Sequence, residues 1–195
     1  KVREIAVARG VRARKSGEGI AYPAAGADTA ETRYNTLRVP RGGEYKVVLS
    51  DGTVVYLNSA TRLRFPVAFG GRERVVALSG EAFFEVKSDS ARPFRVVADG
   101  ARIEVYGTSF NVNTRDADAV RVALVEGSVG LRARGGKETR RMRPSQLGVV
   151  GKSDGRIDVE TADLAPHVAW RKGLFVFTNQ TLEQLMGTLS LWYNV

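Results

Sequence analysis

The feature that most narrows what this chain can fold into is an alternation of apolar and polar residues with a period of two. Tyr45, Val47 and Leu49 alternate with Glu44, Lys46 and Val48, and Val55 and Leu57 with Val54, Tyr56 and Asn58. Ala82, Phe84 and Val86 alternate with Phe83, Glu85 and Lys87. Ile103 and Val105 alternate with Arg102, Glu104 and Tyr106, and Val120, Val122 and Leu124 with Arg121, Ala123 and Val125. Successive side chains of a strand point to opposite faces, so each run reads as a strand with one buried face. The runs are short, rich in β-branched and aromatic residues, and separated by breaks containing Gly, Asp, Ser or Pro. Up to about residue 160 no stretch carries the helical period, and the body is expected to be all-β. Phe84, Phe94 and Phe110 share strand parity with aliphatic neighbours and are expected in the core.

Four times a strand pattern leads through a small acidic or Ser-Gly turn into another strand. The turns are Ser16-Gly17-Glu18-Gly19, Ser50-Asp51-Gly52-Thr53, Ser79-Gly80-Glu81 and Glu126-Gly127-Ser128. Glycine supplies the positive φ of a tight connection, while Asp or Ser bonds to the local backbone. The uneven spacing argues against a strict solenoid repeat. It predicts a mainly β fold, a double-sheet or β-helix-like body of stacked hairpins. Ala24 to Thr32, small and polar, reads as a surface loop.

Near the end the pattern changes. Asp163 to Trp170 reads as a single helical turn or loop interrupted by Pro166, and Leu174-Phe175-Val176-Phe177 as a compact strand. Leu182, Leu185, Met186, Leu189 and Trp192 then fall on one face of a helix. Thr181 and Gln184 have the spacing of a capping box at its start. One strand and one helix cannot bury both their faces alone. Residues 1–172 are therefore expected to form the β domain and residues 173–195 the start of an incomplete small α/β domain.

Composition removes several classes of function. Of 195 residues 43% are hydrophobic and 26% charged, the profile of a globular chain rather than a disordered one. Cysteine is absent, which leaves no disulfide, thiolate metal site or thiol nucleophile. No apolar run approaches the ~18–20 residues of a membrane-spanning helix, and the charged start carries no secretory signal. The chain thus reads as a cytosolic protein or as an internal fragment with its address tag upstream. A net charge of +9 raises the case for an anionic partner. Its distribution lowers that case again, because arginine recurs at alternate positions, as in Phe94-Arg95-Val96, on the solvent side of strands. The one dense cluster, Arg132, Arg134, Lys137, Arg140, Arg141 and Arg143, surrounds the expected hairpin tip Gly135-Gly136 and holds no aromatic residue for a base to stack on.

Catalytic and metal constellations are likewise sparse. His167 is the only histidine and cannot build a multi-histidine metal site. Glu81 and Glu85 would share a strand face, but Glu81 falls in a turn and Glu85 alternates with core aromatics. Asp116 and Asp118 lack the further oxygen ligands of a calcium site and read as a solvated loop. Arg41-Gly42-Gly43-Glu44 lacks the lysine spacing of a phosphate loop and reads as a turn. No enzyme is expected, and no cofactor or metal.

Longer strings point further. Pro40-Arg41-Gly42-Gly43, then Val48 to Ala60 with its Ser50-Asp51-Gly52-Thr53 core, then Leu63-Arg64-Phe65-Pro66, resemble the opening of FecR-type periplasmic domains. Leu78 to Val86 looks like the family's Gly-Glu-aromatic strand, with Pro93-Phe94-Arg95-Val96 after it. Gly107-Thr108-Ser109-Phe110-Asn111-Val112 resembles the Gly-Thr-x-Phe-Asn-Val signature, and Leu124 to Val129 the next strand pair. Trp170 to Phe177, followed by Leu182 to Val195, looks like the opening of the small secretin/TonB-short-N-terminal-like domain of many members. The resemblance spans roughly residues 34–195.

That resemblance implies the periplasmic part of an anti-sigma factor anchored in the inner membrane, working by protein contact without cofactors. Its implied partners are the signalling domain of a TonB-dependent outer-membrane transporter and an extracytoplasmic-function sigma factor. The sigma factor would be bound through a cytoplasmic segment absent here, and the membrane reached only through a helix also absent here. The expected transporter contact is the edge formed by Leu174, Phe175, Phe177 and the outward helix residues Glu183 and Gln184, by strand addition. Two other readings compete. One is a β-rich carbohydrate-binding domain with Tyr56, Trp170 or Trp192 as stacking platform. The other is nucleic-acid binding driven by charge, for which no nucleic-acid partner is otherwise expected.

Overall fold

The alternating runs become strands wherever a turn residue lets the chain reverse. The computed structural model of the protein describes residues 3–8, 11–16, 19–22, 33–177 and 181–193. The expected loop at Ala24 to Thr32 and the centre of the Ser16–Gly19 turn lie outside the described residues. Seventeen strands are described: β1 (Arg3–Ala8), β2 (Val11–Ser16), β3 (Gly19–Ala21), β4 (Tyr34–Val39), β5 (Tyr45–Val48), β6 (Val54–Leu57), β7 (Thr61–Pro66), β8 (Arg74–Ser79), β9 (Glu81–Glu85), β10 (Phe94–Ala98), β11 (Ala101–Val105), β12 (Ser109–Asn113), β13 (Ala119–Glu126), β14 (Val129–Ala133), β15 (Arg140–Met142), β16 (Gln146–Gly151) and β17 (Ile157–Thr161). After them come α1 (Ala165–Val168), a 3₁₀ turn (Ala169–Lys172) and α2 (Leu182–Tyr193).

The strands form two sheets, so of the two shapes expected for the body the double sheet is the one found. The larger has the order β1-β2-β3-β5-β6-β9-β12-β13-β16-β17, the smaller β15-β14-β11-β10-β8-β7-β4. Neighbours run antiparallel except β3–β5 and β8–β10. From β4 onward the chain changes sheet after every one or two strands. This is the stacked-hairpin rhythm that the repeated turns predict.

Between the sheets lies one apolar core. Val47, Val55, Phe84, Phe110 and Val122 enter it from the larger sheet, and Leu63, Val76, Phe94, Val96 and Ile103 from the smaller. Phe84 stacks on Phe110 at 5.2 Å and reaches Phe94 across the gap at 6.2 Å. The strand parity of all three rings is as expected.

The Ser50-Asp51-Gly52-Thr53 turn does more than reverse the chain. Asp51 accepts the Thr53 amide at 3.0 Å and the Thr53 hydroxyl at 2.8 Å, while Gly52 takes φ +87°. The same carboxylate receives Nη1 of Arg74 at 2.8 Å. Arg74 is fully buried on the core side of β8, where its Nε also donates to the Arg92 carbonyl and Nη1 to that of Lys87. A charge taken out of water needs such partners, and here they come from the β5–β6 turn and the β9–β10 connection. Gly80, at φ +107°, is equally constrained: a Cβ there would lie 2.6 Å from the Thr61 hydroxyl.

Two expected outcomes follow from this packing. Truncating Phe84, Phe94 or Phe110 to Ala should each cost about 3–5 kcal/mol in denaturant unfolding; melting unchanged from the parent would refute the register. Asp51→Ala should cost a comparable 3–5 kcal/mol, because it strands the Arg74 guanidinium in the interior. An exposed turn aspartate would cost far less, so the measurement separates the two roles.

Candidate partner-binding site

The larger sheet presents its outer face to the C-terminal segment. On β9, Glu81 and Glu85 point outward together with Phe83, yet Phe83 is buried. Its cover is Arg171, whose guanidinium lies 3.8 Å from the Phe83 ring and 4.6 Å from that of Tyr56 while pairing with Glu85 at 2.7 Å. The adjacent Trp170 is buried as well and donates its indole N–H to Asn111 at 3.2 Å. Pro166 near the start of α1 and Gly173 at φ +68° after the 3₁₀ turn bound this short helical strap.

Beneath the strap lies a buried polar cluster centred on Glu81. Its carboxylate accepts Nδ2 of Asn58 at 2.8 Å, Nδ2 of Asn111 at 3.0 Å and Nη1 of Arg115 at 2.7 Å. Burial pushes the Arg115 guanidinium down in basicity and the Glu81 charge opposes this. Arg115 also donates to the Ser59 carbonyl. The Ser59 hydroxyl and the Gly42 amide both donate to the carbonyl of Leu191, on the last turn of α2. Strap, helix and sheet thus meet over one carboxylate.

Between them runs an open cleft of about 570 Å³. Glu81, Arg115 and His167 line its floor, and Phe175, Thr188, Leu191 and Trp192 its outer wall. Phe175 meets Trp192 edge to face at 4.7 Å and stacks on Phe177 at 6.0 Å. Asp116 is engaged by Arg121 and by the amides of Asp118 and Ala119, which hold its carboxyl below the usual range. It forms the loop expected for that segment. Among the described residues no three of His, Cys, Asp and Glu gather as a metal site, and no helix is long and apolar enough to cross a membrane.

One expectation is corrected. Leu174 to Phe177 forms no strand. Its β-prone side chains find no partner strand; Phe175 and Phe177 stack on each other, and Phe175 turns to Trp192 instead. Among the described residues no backbone hydrogen bond engages 175–177. Leu174 is 57% exposed, Phe177 36%, and Glu183 is exposed; the side chain of Gln184, and with it the capping-box geometry, lies outside the described residues. Of the helix stripe, Leu182 and Met186 stay exposed, while Leu185, Leu189 and Trp192 are half-buried. The stacking-platform reading meets a different geometry: Trp170 is inside, Tyr56 lies under Arg171, and Trp192 is packed on Phe175. Sequence reasoning missed the Glu81 cluster. Asn58 and Arg115 sit beside strand ends and Asn111 in mid-strand as ordinary polar residues, and only the fold converges them.

Known proteins resemble this arrangement. A family model for FecR protein matches residues 35–130. Two crystal structures, each of a candidate anti-sigma factor from Parabacteroides distasonis ATCC 8503, are also similar, one at 2.50 Å and one at 1.65 Å resolution. The first shares 31% identity with a TM-score of 0.76 and covers 83% of this chain and 76% of that one. The second shares 31% identity with a TM-score of 0.75, over 82% and 75%. No curated protein matches. The chain belongs to the FecR family of anti-sigma factors, a regulatory class.

His167 offers a test of the strap. Burial, aided by the Arg121 charge and opposed by Asp163, lowers its pKa below the ordinary 6.5. The unfolded chain therefore binds the proton more readily, and stability should decline as pH falls through about 6.5 and level off below the folded value. His167→Gln should flatten that part of the stability profile in thermal melts. An identical decline in both proteins would assign it to other groups.

Proposed function

We propose that this chain is the periplasmic signalling module of its anti-sigma factor. It takes a signal from the signalling domain of a TonB-dependent outer-membrane transporter and relays it by protein contact to an extracytoplasmic-function sigma factor. In this reading the sigma-binding segment and the inner-membrane anchor belong to parts of the protein outside these 195 residues, and no cofactor takes part. Family membership supports the anti-sigma role.

The observation that carries the transporter contact is the surface at the C-terminal segment. Leu174 and Phe177 expose apolar area beside 175–177, a stretch with no backbone pairing among the described residues. Unpaired backbone flanked by apolar side chains is the usual template for strand addition. Residues 173–195 would form the opening of a small α/β domain, with Leu174, Phe175, Phe177, Glu183 and Gln184 at its partner edge. The exposed side of α2 would be covered by the remainder of that domain.

Binding of the purified signalling domain tests this. The parent chain should capture it, whereas Phe177→Asp, Val176→Pro and the Glu183→Lys/Gln184→Lys pair should each weaken capture by about tenfold or more, the scale of a lost interface anchor. The β body should melt as in the parent, since exposed helix substitutions usually change stability by under about 0.5 kcal/mol. Folded variants that bind as well as the parent would move the contact to another surface. No capture by the parent would end the transporter reading.

A further inference from the structure

The outer face of the smaller sheet is studded with arginine. Parity places Arg38 on β4, Arg62 and Arg64 on β7, Arg102 on β11, Arg132 on β14 and Arg141 on β15 on the side away from the core, and all six are exposed. Arg95 on β10 joins them, but it is committed to Glu73 and Glu104. None of the six is in an ion pair among the described residues. The carboxylates of Glu73 and Glu104 are thus both consumed by a seventh arginine.

The strand register sharpens the point. Arg38 lies directly opposite Arg62, and Arg102 directly opposite Arg132. Like charges facing across neighbouring strands destabilise a sheet. Solvation of ordinary surface residues does not require such pairing, and a Thr or Glu at one member would remove the repulsion. Here it occurs at both flanks of one face, whereas the larger sheet turns Asp158 and Glu160 outward on its edge strand β17.

We infer that this face is a docking surface for an anionic phospholipid membrane. Seven strands at the usual spacing span roughly 30 Å, so the unpaired cations form a broad array rather than the lining of a pocket. An array of that kind matches a plane of phosphate headgroups, which guanidinium groups bind through paired donors. The intervening side chains fit the same surface: Val97 is 41% exposed at the centre, with Tyr34 and Tyr106 towards opposite flanks at 47% and 46%. Tyrosine with an apolar body and a polar tip is a common residue of the membrane interface. A single-stranded nucleic acid fits less well, because the Tyr34 ring is already covered by Arg64 at 3.9 Å and is closed to a stacking base. The inference rests on the charge of this face and stands apart from the transporter contact, which uses the C-terminal segment.

Vesicle co-sedimentation of the purified chain tests it. Vesicles of phosphatidylcholine with about a third phosphatidylglycerol should bind the protein at low salt and release it as salt rises, and pure phosphatidylcholine should not bind it. Each arginine near an anionic surface contributes about fivefold to partitioning, so Arg62→Glu with Arg102→Glu should lower it by at least twentyfold. Arg156→Glu with Lys172→Glu alters net charge equally but lies off this face, and should have only a small effect. The first pair also places a carboxylate opposite Arg38 and Arg132 and should raise the melting temperature, which keeps the variant interpretable. Equal loss in both double variants would show that overall charge alone drives binding and would overturn the assignment. So would binding to both vesicle types alike, or tighter binding to polyglutamate or a DNA duplex than to the anionic vesicles.

Discussion

Much of this structure depends on one carboxylate held out of water. Glu81 opens β9 just after the sharp turn at Gly80, and burial would make its charge costly without donors. Asn58 after β6, Asn111 in the middle of β12 and Arg115 in the connection after β12 supply them. Because each donor reaches onward, to Trp170, to Ser59 and so to Leu191, the need to satisfy Glu81 also fixes where the C-terminal segment lies. The Asp51–Arg74 pair does the same inside the body, tying a hairpin turn to the start of β8. The Asp-Gly-Thr and Gly-Glu-aromatic strings by which the family is recognised are therefore, in this protein, the strings that build its buried ionic sites.

What could be read from the residues was whatever a period of two encodes. Phe84, Phe94 and Phe110 face the core because parity leaves them no other place, and the turn glycines mark where strands end. Parity also put Phe83 on the solvent side, and it does point there. Its burial depends on Arg171, almost ninety positions later, which no local pattern reveals. Arg74 was legible in principle: it shares parity with Val76 and Leu78, and a cation in a core register demands a buried counter-charge. The segment 174–177 shows the opposite limit. Its composition favours a strand, but a strand exists only by pairing, and aromatic contacts with α2 offered Phe175 a nearer partner.

The two outer faces of the sandwich have been given different fates. The larger sheet is roofed by the strap, which covers Phe83 and Tyr56 and lies over the bonded carboxylates of Glu81 and Glu85. The smaller sheet is left bare, with cations set against cations. The molecule therefore has a side that holds its own chain and a side on which six arginines have no ion pair among the described residues, while the C-terminal segment lies over the first of these.

The switching of the chain from one sheet to the other after every strand or two has a consequence for how such a body is made and lost. Neither sheet is a contiguous stretch of sequence, so neither can be completed while the other is still missing. β9, for instance, must cross to the larger sheet before β10 can return and lie parallel to β8. Many of the contacts that stabilise the sandwich are distant in sequence, which slows assembly and concentrates it into a single late step. The same interleaving makes failure collective, because pulling one hairpin out opens both layers at once. A module built this way ties distant parts of its sequence together, since a strand lost from either layer uncovers the core that both layers share.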